Sequence, residues 1–166
     1  SAGALPGCRT KSTPTPTATN YMSATCFVET DVLYARDAGK TDKQPLAEAW
    51  LGTLWRQRQG RLRYQVLQEY YVTVTRKLRP GIPVQDARDD VRALMSWRPL
   101  SADGVMLETA WAVQDRYGLS WWDSLIVSAA QVAGTAYLLS EDLQAGQDVG
   151  GIVVVDPFQI APEELL

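Results

Sequence analysis

Apolar positions along this chain fall into two patterns. Residues 25–33 (TCFVETDVL), 136–140 and 151–155 are short, unbroken apolar runs, which predict buried strands. Between them, apolar residues recur at helical spacing. Leu46, Trp50 and Leu54 mark one helix face, which stops near Gly60. Residues 62–64 read as a short extended piece. Val66, Tyr70 and Val74, with Leu67, Tyr71 and Leu78, mark a second helix closed by Pro80 and Gly81. A third, over 84–97, turns Ala87, Val91, Leu94 and Met95 inward. Ser101 is placed to cap a fourth, which runs to Tyr117 with Gly118 just past its end. Ser120 opens a fifth, which runs through Val132 and is ended by Gly134. Strands that are unbroken rather than alternating fit a short parallel sheet buried on both faces. The expected fold class is therefore α/β, a three-layer α/β/α sandwich.

Composition changes this picture at one end. Residues 1–21 are mostly Thr, Pro, Ala and Gly, with Arg9 and Lys11 as their only charges. They cannot bury enough apolar surface to offset their ordering entropy. They read as a flexible arm, either added to the chain or preceding a start at Met22, with a single domain over 22–166. The whole chain of 166 residues carries a net charge of -3; without the arm it is -5. A basic nucleic-acid coat is excluded. Two cysteines, Cys8 and Cys26, make no disulfide framework and suggest a reducing compartment. No apolar run is long enough to span a bilayer, and no apolar core follows Arg9 and Lys11, so a cytoplasmic location is expected. Histidine is absent, which removes His-based zinc sites, Ser-His-Asp and Cys-His triads and imidazole acid–base chemistry.

Any catalysis must then run on carboxylates, metals, hydroxyls, Lys or Arg, and the carboxylates are the ones that cluster. In an open parallel sheet, ligands bind beyond the carboxyl ends of the strands. Glu29 and Asp31 fall near the end of the first predicted strand, on one face of it. Glu69 lies early in the second helix, Asp123 in the first turn of the fifth, and Asp142 in the turn after the strand YLLS. Each has a plain reading: a solvated strand end, a complement to a helix dipole, half of a capping box with Ser120, a turn aspartate. Together they come from four elements whose ends converge at one sheet edge. Clustered carboxylates repel, and a divalent cation resolves the conflict. Oxygen-only donors select Mg²⁺ or Mn²⁺ over zinc. Glu141 reads as solvated.

The order FVETDVLYARD, QVLQEYYVTVTRKL, YGLSWWDSLIVSAA and LLSEDLQ resembles the PIN-domain ribonucleases, closest to the VapC-type toxins of VapBC toxin–antitoxin pairs. The resemblance covers about residues 25 to 158. It implies a parallel sheet between helices and an acidic site for Mg²⁺ or Mn²⁺. Carried over by position, the four acids fall on Glu29, Glu69, Asp123 and Asp142, with Asp31 and Ser140 in support. The family's usual first segment is Asp-Thr-Asn, where this chain has Glu29-Thr30-Asp31. The longer acid displaces its carboxylate by about 1–1.5 Å, which metal catalysis tolerates poorly. Trp122 is expected to pack into the core. Trp121 is expected to be the more exposed of the two, able to stack on an RNA base.

The activity implied is metal-dependent hydrolysis of RNA phosphodiester bonds, with the metal activating water and a carboxylate such as Glu69 or Asp142 orienting it. Arg56, Arg58, Arg61 and Arg63, then Arg76, Lys77 and Arg79, would position the strand, Glu69 being the only acid among them. Arg88 and Arg92 read as surface pairs of Asp86, Asp89 and Asp90. The resemblance also implies a homodimer and a small antitoxin protein, for which Trp50, Trp55 and Tyr70 offer apolar surface. The alternative is a catalytically weak PIN scaffold that binds RNA or a protein partner, supported mainly by Glu29. A haloacid-dehalogenase-type phosphatase fits poorly, since it needs Asp-x-Asp where this chain has Glu-x-Asp and no Lys follows Lys77.

Overall fold

The computed structural model describes residues 24–39 and 41–166; the arm expected over 1–21 lies outside the described residues. Strand β1 (Cys26–Val28) enters the middle of the sheet with all three side chains fully buried. It is followed by helices α1 (Thr30–Asp37) and α2 (Gln44–Gln57), edge strand β2 (Gly60–Arg61) and α3 (Tyr64–Val72). Helix α3 widens into a π-helical turn over Thr73–Lys77. Next come α4 (Val84–Leu94), which tightens into a 3₁₀ turn at Met95–Trp97, then α5 (Gly104–Tyr117) and α6 (Trp121–Val132). Strands β3 (Tyr137–Leu139), β4 (Asp148–Val149) and β5 (Ile152–Val155) finish the sheet.

The strand order is β2-β1-β3-β5-β4. Strands β1, β2, β3 and β5 run parallel, whereas β4 runs antiparallel to β5. The purely parallel sheet expected from the strand pattern is therefore corrected at this edge. Gly150 and Gly151 both take positive φ, +62° and +88°, the conformation of a tight two-residue hairpin.

Two apolar clusters cover the two sheet faces. Cys26, Val28, Leu139 and Val155 face one formed with α1 to α4; Phe27, Leu138 and Val154 face the other, formed with α5 and α6. Neighbouring strand residues thus point to opposite layers, and each fully buried Leu, Val or Phe contributes about 1.5–3 kcal/mol. Helix α2 buries Ala47, Trp50, Leu51 and Leu54, one stripe at helical spacing. Trp50 and Tyr70 are fully buried, so of the three residues offered as partner surface only Trp55 is exposed. Met95, expected inward, is exposed, because the chain has tightened into the 3₁₀ turn by that residue.

The largest correction concerns residues 25–33. The strand ends at Val28, and Thr30 begins a helix that buries Thr30, Val32, Leu33 and Ala35. The apolar pattern VLYA fits one helical face as well as a strand, so periodicity over a short run does not separate them. Asp103, not Ser101, caps α5, its side chain accepting from the Met106 N–H at 2.9 Å. Ser120 caps α6 as expected, accepting from the Asp123 N–H at 3.1 Å.

Candidate active site

In the pairing register Val28, Leu139 and Val155 stand side by side, so β1, β3 and β5 end level with one another. Strand order reverses around β1, whose neighbours are β2 on one side and β3 on the other. That is the switch point at which open α/β sheets hold ligands. Glu29 follows β1 directly, and Ser140, Glu141 and Asp142 follow β3.

Glu29 is the N-terminal flanking residue of α1 rather than part of a strand, and Asp31 lies in the first turn of that helix. The Glu29 side chain is 13% exposed and that of Arg63 is 9% exposed; their Oε2 and Nη2 atoms stand 3.7 Å apart. Burial pushes the Glu29 carboxyl up to about 7. Arg63 pulls it down, and Asp31, Glu69 and Asp142 add smaller upward pushes. Asp31 is raised to about 6, first by burial and then by the charges of Glu141 and Asp142. Glu29 Oε1 and both Asp31 carboxylate oxygens are buried without a hydrogen-bond partner among the described residues. The Val32 and Glu141 amides near Asp31 draw its pKa back only in part.

Glu69 is exposed on α3 and accepts hydrogen bonds from Thr30 Oγ1 at 2.7 Å and Gln65 Nε2 at 2.8 Å. Asp142 is exposed, and its backbone N–H donates to the buried Ser140 hydroxyl at 3.2 Å, so Ser140 holds the turn. The Asp123 side chain makes no hydrogen bond or ion pair among the described residues, and it is not one of the main charges acting on Glu29 or Asp31. Glu141, read as solvated, is tied to Lys43 by a 2.6 Å ion pair. Trp121 and Trp122 exchange their expected places. Trp122 is 65% exposed, whereas Trp121 packs on the α5–α6 cluster, 6.2 Å from the Trp111 ring.

Arg63, set among the strand-positioning arginines by sequence, turns inward here. Its separation from Glu29 along the chain, with two helices between, hides the pair in the sequence. Thr30 as a partner of Glu69 gives no sequence signal at all. Of the remaining basic residues, Arg56, Arg58, Arg76, Lys77 and Arg79 are exposed and Arg61 is partly buried.

The donor set is oxygen-only, the chemistry that suits Mg²⁺ or Mn²⁺. Among the described residues, no three acidic or cysteine side chains form a group that could hold a metal. Arg63 stands 3.7 Å from Glu29, and Thr30 and Gln65 donate hydrogen bonds to Glu69.

No family model matches the chain, and no curated protein does. Among solved structures it is similar to a chain described as "Toxin-antitoxin complex from Klebsiella pneumoniae", at 18% sequence identity and a TM-score of 0.58. The match covers 82% of this chain and all of that one, and the likeness is one of fold. No helix among the described residues is long and apolar enough to cross a membrane.

Proposed function

We propose that this chain is a PIN-type scaffold of the toxin–antitoxin class that works by holding a small protein partner, with catalysis weak or absent. The observation that carries this reading is the Arg63 guanidinium against Glu29, in the corner where the acids would otherwise share a hard cation. A buried arginine offsets part of the Glu29 charge without leaving an open coordination position.

The fold-level likeness to a chain from a toxin–antitoxin complex supports a protein partner. So does an open groove of about 390 Å³ between α1, α2 and α4, floored by Leu33, Leu51, Ala93 and Leu94. Arg36, Glu48, Arg56 and Asp90 rim it with both signs of charge. An apolar floor with a polar rim is the anatomy of a protein interface.

A metal-dependent endoribonuclease is the second reading. Its support is that Asp31, Glu69 and Asp142 all act on Glu29, so the acids share one neighbourhood. It would require Arg63 to leave Glu29, with Glu29, Glu69, Asp123 and Asp142 then holding Mg²⁺ or Mn²⁺. The test is incubation of purified protein with structured and unstructured RNAs in Mn²⁺, Mg²⁺ or EDTA, beside calorimetric titration with Mn²⁺. Absence of both metal-dependent cleavage and saturable Mn²⁺ binding is expected. EDTA-sensitive cleavage that disappears in Asp123→Asn and Glu69→Gln would replace the scaffold reading with the nuclease.

A further inference from the structure

Beyond the edge strand β2 lies a cavity of about 450 Å³ lined by Trp55, Arg58, Arg61, Ser96, Trp97 and Arg98. Its lining has three guanidiniums and no carboxylate. Arg61 Nη1 is fixed by the Gly60 and Arg58 carbonyls, at 2.7 and 3.3 Å. The Arg58 and Arg98 side chains make no hydrogen bond or ion pair among the described residues. Burial and the charge of Arg98 both lower the Arg61 pKa from its ordinary value, so the two cations sense each other across the cavity.

Two of these arginines stand where arginine is a poor choice for the backbone. Arg58 ends α2 with φ +57°, and Arg98 ends the 3₁₀ turn after α4 with φ +54°. Glycine or asparagine is usual at such left-handed caps. Arginine at both positions therefore carries a conformational cost that glycine would not. The aromatic wall is built as well. Trp97 is 4% exposed and lies flat against Gly60, where an added Cβ would meet its ring at 2.5 Å. The Trp55 ring stands 6.1 Å from that of Trp97 and is 48% exposed, leaving an indole face open to a planar group.

We infer that this cavity binds a nucleoside 5′-monophosphate group, with the phosphate held by Arg58, Arg61 and Arg98 and the base stacked on Trp55. Guanidinium forks match phosphate oxygens in geometry, and three of them favour a dianionic terminal phosphate over a monoanionic diester. Stacking on an exposed indole accepts any base. The volume suits a ligand of nucleotide size. The same group comes from a free nucleotide or from the 5′-phosphorylated end of an RNA. Arg58, Arg61 and Arg98 line this cavity and not the apolar groove, whereas Trp55 and Trp97 line both, so the two sites adjoin.

Isothermal titration of the full chain with AMP, adenosine, inorganic phosphate and RNA tetramers bearing a 5′-phosphate or a 5′-hydroxyl tests the assignment. AMP should bind and adenosine should not, with the affinity for AMP falling as salt screens the arginines. Tighter binding of the 5′-phosphorylated tetramer than of AMP would assign the RNA end; the reverse order would assign the free nucleotide. Arg58→Gln and Arg98→Gln should each weaken binding roughly tenfold or more. Trp55→Ala should bring AMP down to the affinity of inorganic phosphate. Arg58→Gly and Arg98→Gly should lose the same binding while melting no lower than the unaltered chain, because they relieve the left-handed backbone. Absence of AMP binding at millimolar concentration, or equal binding by the unaltered chain and both glutamine variants, would overturn the assignment.

Discussion

Replacing Glu29 with glutamine should stabilise this protein far more at pH 8 than at pH 5. The Glu29 carboxyl is lifted from 4.5 to about 7 because burial outweighs the attraction of Arg63. A raised carboxyl pKa means that the folded state keeps a proton the unfolded chain has already released. The stability this contributes is complete below 4.5 and is lost as pH rises through about 7. At ~1.36 kcal/mol per pKa unit, the span is worth about 3 kcal/mol as an upper bound. A glutamine side chain cannot ionise, so the Glu29→Gln variant should lose the Glu29 part of this slope and keep only that of Asp31. Its amide still faces Arg63 much as the protonated acid does. No histidine titrates in this window, so the slope that remains in the variant is that of Asp31, raised from 3.8 to about 6. Urea unfolding followed by tryptophan fluorescence, at constant ionic strength from pH 5 to 8, reads the effect directly. Wild-type stability that is flat or rises across that range, or a Glu29→Gln curve parallel to it, would show that the carboxyl is not desolvated and that the Arg63 pair is not net unfavourable.

Three further substitutions probe the frame around the site. Tyr70→Phe removes a buried hydroxyl that lies 2.9 Å from Asp37, 2.7 Å from Asp90 and 2.8 Å from the Arg36 guanidinium. Chemical denaturation should show a loss of about 1–3 kcal/mol, because the charged groups lose a shared partner. Gly60→Ala places a Cβ 2.5 Å from the fixed Trp97 ring and should cost about 1–3 kcal/mol, seen as a lower melting temperature. Lys43→Ala breaks the 2.6 Å pair with Glu141, yet half the lysine side chain is in solvent. Its cost should stay below about 1 kcal/mol and shrink further in high salt.

Much of the frame was legible in the chain. Helices α2 to α6 and strands β3 and β5 follow from apolar spacing, from Ser120 before α6 and from Gly118 after α5, because these signals act over a few residues. Helix α1 was not legible. The run after Glu29 carries too few residues to separate a period of 3.6 from an unbroken strand, and packing of Val32 and Leu33 against α2 and α3 decides it. Strand β4 has two residues and exists only because Gly150 and Gly151 turn the chain back onto β5.

The same division runs through the site. Sequence placed Asp142 after the strand YLLS and Asp123 at the start of a helix, and the absence of histidine removed imidazole chemistry. It could not determine what each acid faces. Arg63 reaches Glu29 only because β2 lies beside β1 in the sheet, which brings the residues just after the two strands to one corner. Burial and charge fall off over ångströms in space, not over positions in the chain. Whether Glu29 meets an ion or a guanidinium was therefore a decision of the tertiary structure alone.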